Sequence, residues 1–578
     1  MNWKETYKQW RDFEDLDSTL KEDLASIEAD DKLLEDAFYQ PLSFGTAGMR
    51  GILGAGINRM NIYTIRQATE GLAKLFEDYG QDAKDRGVAI AYDSRHMSPE
   101  FAMESAKTLG AHGIKSYVFE SLRPTPELSF AVRELNAFAG IMITASHNPA
   151  DYNGYKVYGE DGGQMPPADA DAVTANVRAV ENPLTVEVGD EAALIADGTI
   201  TIIGEEIDQK YLDNMRSVVV DQAVIDEMAD QVSIVYTPLH GTGQMLVERT
   251  LADAGFTNVT YVTEQKEPDA DFSTVQSPNP EEAGAFEVAE RYGKANDADI
   301  LIATDPDADR MGAAVKLPNG DYQVITGNQI AALMTHYILT AKKNTGTLPD
   351  NGVILKSIVS SEMPTTIAKA FDVETVNVLT GFKFIAEKIK NYEADGSKHF
   401  LFGFEESYGY LVKAFVRDKD AVQATLLLAE VAAFYKKQGK TAYDGLQDLF
   451  AEYGTFQEKT ISVTLPGQEG AAKIEAILTN LRGEGLSEIA GQKVVETEDY
   501  LQDTRQFADG RSESLGMEKS NVLKYYLADE TWIAVRPSGT EPKIKLYINA
   551  VSKNNEKEAN DKKEQLANQM QKIIDSVE

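Results

Sequence analysis

Cysteine is absent from the 578 residues, so the chain can form no disulfide and no thiolate metal site. No apolar run reaches the roughly eighteen residues of a membrane-spanning helix, and none is expected. The opening Met1-Asn2-Trp3-Lys4-Glu5-Thr6 lacks the apolar stretch of a signal peptide. Positive charge is also scarce: 56 Lys and Arg stand against 93 Asp and Glu, a formal net charge of −37. Such a surface repels nucleic acid and anionic membrane, so neither is expected as a partner. These absences predict a cytoplasmic enzyme. They also require that an anionic substrate find a local basic pocket, and the Arg and Lys residues inside Gly-rich motifs are the place to look. Three common motifs are missing as well. There is no Gly-x-Ser-x-Gly elbow, which disfavours a Ser–His–Asp hydrolase. There is neither a Walker A loop nor Gly-x-Gly-x-x-Gly, since Gly45-Thr46-Ala47-Gly48-Met49-Arg50-Gly51 fits neither pattern.

What is present is ordinary for a globular chain, 43% hydrophobic and 26% charged. At about 150 residues per domain the length predicts roughly four domains. Apolar residues at helical spacing between Trp10 and Phe38 predict one or two N-terminal surface helices. Short apolar runs then alternate with amphipathic stretches, which predicts an α/β fold with βαβ units and mainly parallel sheets. The parse is 1–205 for the N-terminal helices and a first α/β domain, 206–325 for a second and 326–455 for a third. Residues 456–578 read as a smaller α+β domain, with strands Lys459 to Thr464, Trp532 to Arg536 and Ile544 to Ala550 and a final helix from Asn555 to Ile574.

The informative motifs follow strand-like runs, where α/β sheets bind ligands. Ser146, in Thr144-Ala145-Ser146-His147-Asn148-Pro149, comes after Ala139-Gly140-Ile141-Met142-Ile143. Its hydroxyl can carry a phosphoryl group or simply cap a helix. Asp305, Asp307 and Asp309 alternate after Asp299-Ile300-Leu301-Ile302-Ala303-Thr304. On a continuing strand they share a face, whereas on a loop they can wrap one cation. Oxygen-only ligation with no nearby His favours Mg²⁺. An EF-hand fails, because Arg310 and Lys316 stand where Gly and Glu are needed. Gly403-Phe404-Glu405-Glu406-Ser407-Tyr408-Gly409 suits a polyhydroxylated ligand. Arg536-Pro537-Ser538-Gly539-Thr540 can surround a phosphate, and Lys156 is close enough in sequence to reach the site of Ser146.

Taken together, these motifs resemble the α-D-phosphohexomutase family, the phosphoglucomutases and phosphomannomutases, over essentially the whole chain and in the same order. The sugar loop and Val416-Arg417-Asp418-Lys419-Asp420 are most similar to its bacterial α-phosphoglucomutase branch. The resemblance implies four domains around a central cleft. It implies that Ser146 is a phosphoserine and that its phosphate joins Asp305, Asp307 and Asp309 on Mg²⁺. Arg310 would lie beside the transferring phosphate, and Glu405 and Ser407 would contact sugar hydroxyls. Arg536, Ser538, Gly539 and Thr540 would bind the phosphate that is not transferred. Arg50 and Lys156 match catalytic positions, with Lys156 the general acid/base, and Lys383 and Lys419 match substrate contacts. Some relatives carry a His after the sugar loop where this chain has Tyr408 and Tyr410. The implied reaction interconverts glucose 1-phosphate and glucose 6-phosphate, with glucose 1,6-bisphosphate as intermediate and activator. A mannose or pentose phosphate mutase and a non-catalytic sugar-phosphate-binding protein are the alternatives. A monomer is the simpler expectation.

Overall fold

The computed structural model describes residues 2–45, 48–465, 467–538 and 543–576. The chain divides into two compact units. One comprises Met1–Gly327, Ala386–Ala394 and Ser407–Ala442, and the other Asn328–Ile385, Asp395–Glu406 and Tyr443–Glu578.

The first unit holds two mixed sheets. In the six-stranded sheet, Ala139–Ile143, Val88–Tyr92, Ser116–Phe119 and Ile200–Ile203 run parallel. Tyr152–Tyr158 returns antiparallel beside Ala139–Ile143 and pairs in turn with Gly48–Ile52. In the second sheet Val259–Tyr261, Ile234–Thr237 and Ile300–Thr304 are parallel, and Met311–Lys316 and Tyr322–Ile325 complete it antiparallel. Val88–Tyr92, Ala139–Ile143 and Ile300–Thr304 are buried along their whole length. Helices cover both faces of such strands, so they read as continuous apolar runs rather than alternating ones.

The N-terminal segment forms three helices, Trp3–Arg11, Ser18–Ile27 and Asp31–Phe38, rather than one or two. Asn2, Asp17 and Asp30 cap them with side-chain acceptors, which stop each helix from running into the next. They are not merely a surface arm. Trp10, Leu20, Leu24, Leu34 and Phe38 form a separate core with Tyr63.

The stretch Ser407–Ala442 also packs in this unit. Its helix Ala421–Lys437 is buried on nearly every side. Asp420 caps it, and buried Glu430 accepts the backbone N–H groups of Val220 (3.1 Å) and Asp221 (2.6 Å).

In the second unit, Glu374–Val378, Gly352–Ser357 and His399–Glu405 are parallel. An antiparallel sheet runs Thr455–Thr464, Lys543–Ser552, Trp532–Pro537, Leu523–Leu527, Gln492–Asp499, Thr504–Phe507 and Ser512–Glu513. Helix Glu556–Asp575, capped by Asn555, packs on this sheet. The three expected C-terminal strands are present, and the central meander between them is additional. Ile358, Val359 and Leu379 join Tyr500, Val522 and Trp532 in a core common to both sheets of this unit. Among the described residues no helix is long and apolar enough to cross a membrane.

Candidate active site

Two fully buried strands deliver the reactive groups of the first unit. Ala139–Ile143 runs into the Ser146 loop, where the Thr144 hydroxyl accepts the Ser146 N–H at 2.8 Å. Ser146 has φ 53°, a left-handed conformation that costs a non-glycine residue about 1–2 kcal/mol. No helix starts here, because the chain returns through Tyr152–Tyr158, so the hydroxyl is not a helix cap. Ser146 Oγ instead donates to Asp305 Oδ2 at 2.7 Å and lies 3.2 Å from His147 Nδ1.

Ile300–Thr304 runs into the carboxylate loop, and Asp305, Asp307 and Asp309 sit on the loop rather than on a continued strand. The turn is closed by Ala308 N–H on the Asp305 carbonyl and by Asp305 Oδ1, which accepts the N–H groups of Asp309 (3.1 Å) and Arg310 (3.0 Å). It packs directly on Gly241, where a Cβ would stand 2.4 Å from Pro306 Cα. All three carboxylates are buried, and each brings an oxygen within 4.8 Å of the others. Asp307 Oδ1 and Asp309 Oδ1 have no hydrogen-bond partner among the described residues. Buried anionic oxygens left unsatisfied are costly, so this donor set fits a hard, oxygen-seeking cation.

Four basic side chains surround the trio. Lys156 Nζ lies 2.6 Å from Asp307 Oδ2 and 3.5 Å from Asp309 Oδ2. Lys419 Nζ lies 3.2 Å from Asp309 Oδ2 and 2.9 Å from Asp418 Oδ1. Lys419 occupies the space where Gly409 lacks a side chain, since a Cβ there would come within 2.2 Å of its Cδ. Arg310 Nη1 donates to Glu281 at 2.7 Å and to the Ser407 carbonyl at 3.2 Å. Arg50 Nη1 donates to Asn148 Oδ1 at 2.7 Å.

The electrostatics of the trio are divided. Burial pushes Asp305 well above the usual carboxylate range, and Asp307 and Asp309 push it the same way. Burial also raises Asp307, but the Lys156 ammonium and the Thr125 hydroxyl outweigh it and hold that carboxyl far below its ordinary value. Lys156 shows the reciprocal effect: burial lowers it, and the two carboxylates bring it out above an ordinary lysine.

Ser146, Asp305, Asp307, Asp309, Arg310, Lys156, Arg50, Ser407 and Lys419 thus all belong to the first unit. Lys383, Glu405, Arg536 and Ser538 belong to the second. There Glu405 Oε1 accepts the Gly381 N–H at 2.7 Å, and Lys383 Nζ lies 5.0 Å over the Phe384 ring. Ser538 N–H donates to the Lys543 carbonyl at 2.7 Å. Gly539 and Thr540 lie outside the described residues.

Several neighbours of these groups were not legible in advance. Thr125 Oγ1 donates to Asp307 Oδ2 at 2.8 Å. It stands in Pro124-Thr125-Pro126 as the first residue of the helix Thr125–Glu134 that follows Ser116–Phe119, so the strand-end rule that found Ser146 also points to it. Glu281, the partner of Arg310, carries no sequence signal. Tyr547 is raised by burial and by Glu406, against the opposing pull of Arg536. The hydroxyls of Tyr408 and Tyr410 are buried on the carbonyls of Ile325 and Gly327, both at 3.2 Å.

Four family profiles match the chain in sequence. They are described as phosphoglucomutase/phosphomannomutase alpha/beta/alpha domains I, II and III and C-terminal domain, at residues 41–183, 209–319, 326–453 and 471–568. The chain belongs to the phosphoglucomutase/phosphomannomutase family. It has that family's four-domain α/β fold, and it is an isomerase of the intramolecular phosphotransferase class, most like the phosphoglucomutases. The phosphoglucomutase of Staphylococcus epidermidis is 40% identical over 536 residues, covering 92% of this chain and 95% of that protein. That of Staphylococcus saprophyticus is 38% identical over 512 residues, covering 88% and 91%. Among solved structures, a putative phosphomannomutase from Thermus thermophilus superposes with a TM-score of 0.69 at 21% identity, covering 93% of this chain and all of that one. The open form of the Paramecium phosphoglucomutase pp63/parafusin gives 0.68 at 18%, covering 93% and 96%. At these identities the two structures speak for the fold.

Proposed function

We propose that the protein interconverts α-D-glucose 1-phosphate and glucose 6-phosphate through a phosphorylated Ser146. The reading is carried by one observation: the Ser146 hydroxyl sits 2.7 Å from a buried carboxylate trio, two of whose oxygens have no partner among the described residues, inside a ring of Lys and Arg. Asp305, Asp307 and Asp309, with the seryl phosphate, would hold Mg²⁺. When bound, the ion neutralises charge on the phosphoryl group in flight. Arg310 and Lys419 stand beside the trio and neutralise the remaining phosphate oxygens. The P–O bond to Ser146 breaks as one forms to the free sugar hydroxyl, giving the 1,6-bisphosphate. Lys156 serves as general acid/base, protonating the departing serine oxygen and recovering a proton from the attacking hydroxyl. The intermediate turns over, and its other phosphate returns to Ser146. Glu405 and Ser407 orient sugar hydroxyls, while Arg536, Ser538, Gly539 and Thr540 bind the phosphate at rest. Lys383 contacts the substrate, and Arg50 positions the serine loop through Asn148. The preference for glucose and the cytoplasmic setting belong to the same reading.

The test is kcat/KM for glucose 1-phosphate against mannose 1-phosphate and ribose 1-phosphate. Each is assayed with Mg²⁺ and a trace of the corresponding bisphosphate, on protein whose Ser146 phosphate is verified by mass spectrometry. Glucose 1-phosphate is expected to be the best substrate. No conversion of it by phosphorylated protein rejects the reading, and a better mannose or pentose substrate reassigns the sugar.

A further inference from the structure

One buried guanidinium holds four carbonyls of the serine loop. Arg95 Nη2 donates to the Ser146 carbonyl at 2.6 Å and also to that of Asn148. Its Nη1 donates to the carbonyls of Pro149 (2.7 Å) and Tyr152 (3.0 Å). The side chain is 1% exposed and lies within the first unit. Asp93 Oδ2 lies 3.3 Å from its Nε, while Asp93 Oδ1 accepts the Arg95 N–H at 3.0 Å and the Ser98 hydroxyl at 2.8 Å. The Asp93 N–H in turn donates to the carbonyl of Ile143, the last residue of the strand that feeds the serine loop. The guanidinium also lies over the Phe272 ring at 4.9 Å.

Neither Ser146 Oγ nor any of the three carboxylates is hydrogen-bonded to this side chain, so its influence on the chemistry runs through the backbone. A loop that turns back at a left-handed serine leaves carbonyls pointing inward, and buried carbonyls must find donors. Only a rigid planar fork with five N–H groups can serve four of them at once. A lysine offers three donors from a single point and cannot span the same set.

We propose that Arg95 is a positioning residue for phosphoryl transfer, holding the serine loop so that Ser146 Oγ stays on Asp305. The proposal deepens the mutase reading and rests on it. Loss of the fork frees the loop to relax toward ordinary backbone angles, which carries the nucleophile off the trio. A displacement of about 1 Å at a reacting atom costs on the order of 10²-fold in rate.

The test compares parent, Arg95→Lys and Phe272→Leu protein, with turnover expressed per phosphorylated Ser146 as counted by intact-mass spectrometry. Parent turnover establishes the mutase reading separately, so its failure is not confused with failure of this one. Arg95→Lys keeps the charge beside Asp93 and is expected to lose about 10²-fold in kcat with KM within about twofold of parent. Phe272→Leu loosens packing against the same guanidinium without removing a donor, so its melting temperature should fall while kcat holds. Arg95→Lys turnover within about twofold of parent overturns the proposal. So does an equal loss of kcat in both variants in step with their melting temperatures, because that is the signature of packing alone.

Discussion

Ser146 Oγ and Asp305 Oδ2 lie 2.7 Å apart although 159 positions separate them in the chain. Two strand ends in different sheets of one unit bring them together, and the pairing decides what the hydroxyl can do. Ser146→Ala removes the phosphate acceptor and is expected to cut turnover of glucose 1-phosphate by roughly 10⁴-fold or more, as loss of a nucleophile does elsewhere. Alanine tolerates the left-handed angle about as poorly as serine already does, so only the hydroxyl's contacts with Asp305 and His147 are lost from the fold. The melting temperature should shift by no more than a few degrees. Substantial residual activity in a phosphate-free preparation would falsify the phosphoserine role.

Asp309 separates metal binding from the fold. Its Oδ1 has no hydrogen-bond partner among the described residues, so a cation gains a ligand there without breaking an existing bond. Mg²⁺ should therefore raise the stability of the parent, by about 2.7 kcal/mol at a concentration 100 times its dissociation constant. Asp309→Asn is expected to weaken Mg²⁺ at least about tenfold in calorimetric titration. Unchanged affinity would remove Asp309 from the ligand set.

Thr125 acts one step behind the ligands. Its hydroxyl holds Asp307 Oδ2 at 2.8 Å and its N–H donates to the Asp307 carbonyl, so both ends of that residue are fixed by the start of one helix. Thr125→Val keeps the shape and removes one donor. Groups that orient metal ligands are worth about 10–100-fold in metal affinity or activity. The expected result is an activity loss in that range, partly restored by excess Mg²⁺. Full activity at limiting Mg²⁺ would show that the Thr125 hydroxyl is not needed to orient Asp307.

How much of this was readable beforehand depends on where the information lies. Ser146 and the Asp trio stood out because each follows an apolar run long enough to be a buried strand, and because alternating carboxylates have few other uses. Glu281 and Arg95 did not, since only the folded chain supplies their partners; Thr125 follows a strand, but nothing in the sequence pairs it with Asp307, 182 positions away. The strand Gln492–Asp499 was hidden by its own composition. Glu496 and Glu498 interrupt any apolar pattern, and Arg505 answers both across the sheet at 3.0 and 2.6 Å. The placement of Ser407–Ala442 with the first unit was equally invisible. Its helix is buried mostly through Ala, Val and Leu, and Glu430 within it accepts the Val220 and Asp221 N–H groups, partners that lie some 210 positions away.

A buried charge cluster in the second unit gives a prediction with a defined pH sign. Lys356 and Lys524, fully buried on strands of the two sheets, share Glu362, with Nζ at 3.0 and 3.7 Å from Oε1. Lys524 Nζ also donates to the Ile358 carbonyl at 2.7 Å and lies 4.0 Å over the Trp532 ring. Burial alone would raise the Glu362 carboxyl, but the two ammonium groups outweigh it and bring it from 4.5 down to about 2. A carboxyl lowered in the folded state contributes stability above its unfolded pKa and loses it as pH falls through the folded one. Glu362→Gln should therefore be less stable than parent by on the order of 3 kcal/mol above about pH 5, a gap that closes toward pH 2. Lys524 has the opposite logic. Burial lowers it from 10.5 to about 8 against the pull of Glu362, so between those values the unfolded chain binds more protons and stability rises with pH. Lys524→Met removes that rise. Urea unfolding at pH 3, 5, 7 and 9 measures both limbs as differences from parent, which cancels the background of the −37 net charge. A Glu362→Gln gap that stays constant from pH 7 to pH 3 would show that the carboxylate is not stabilised by these lysines.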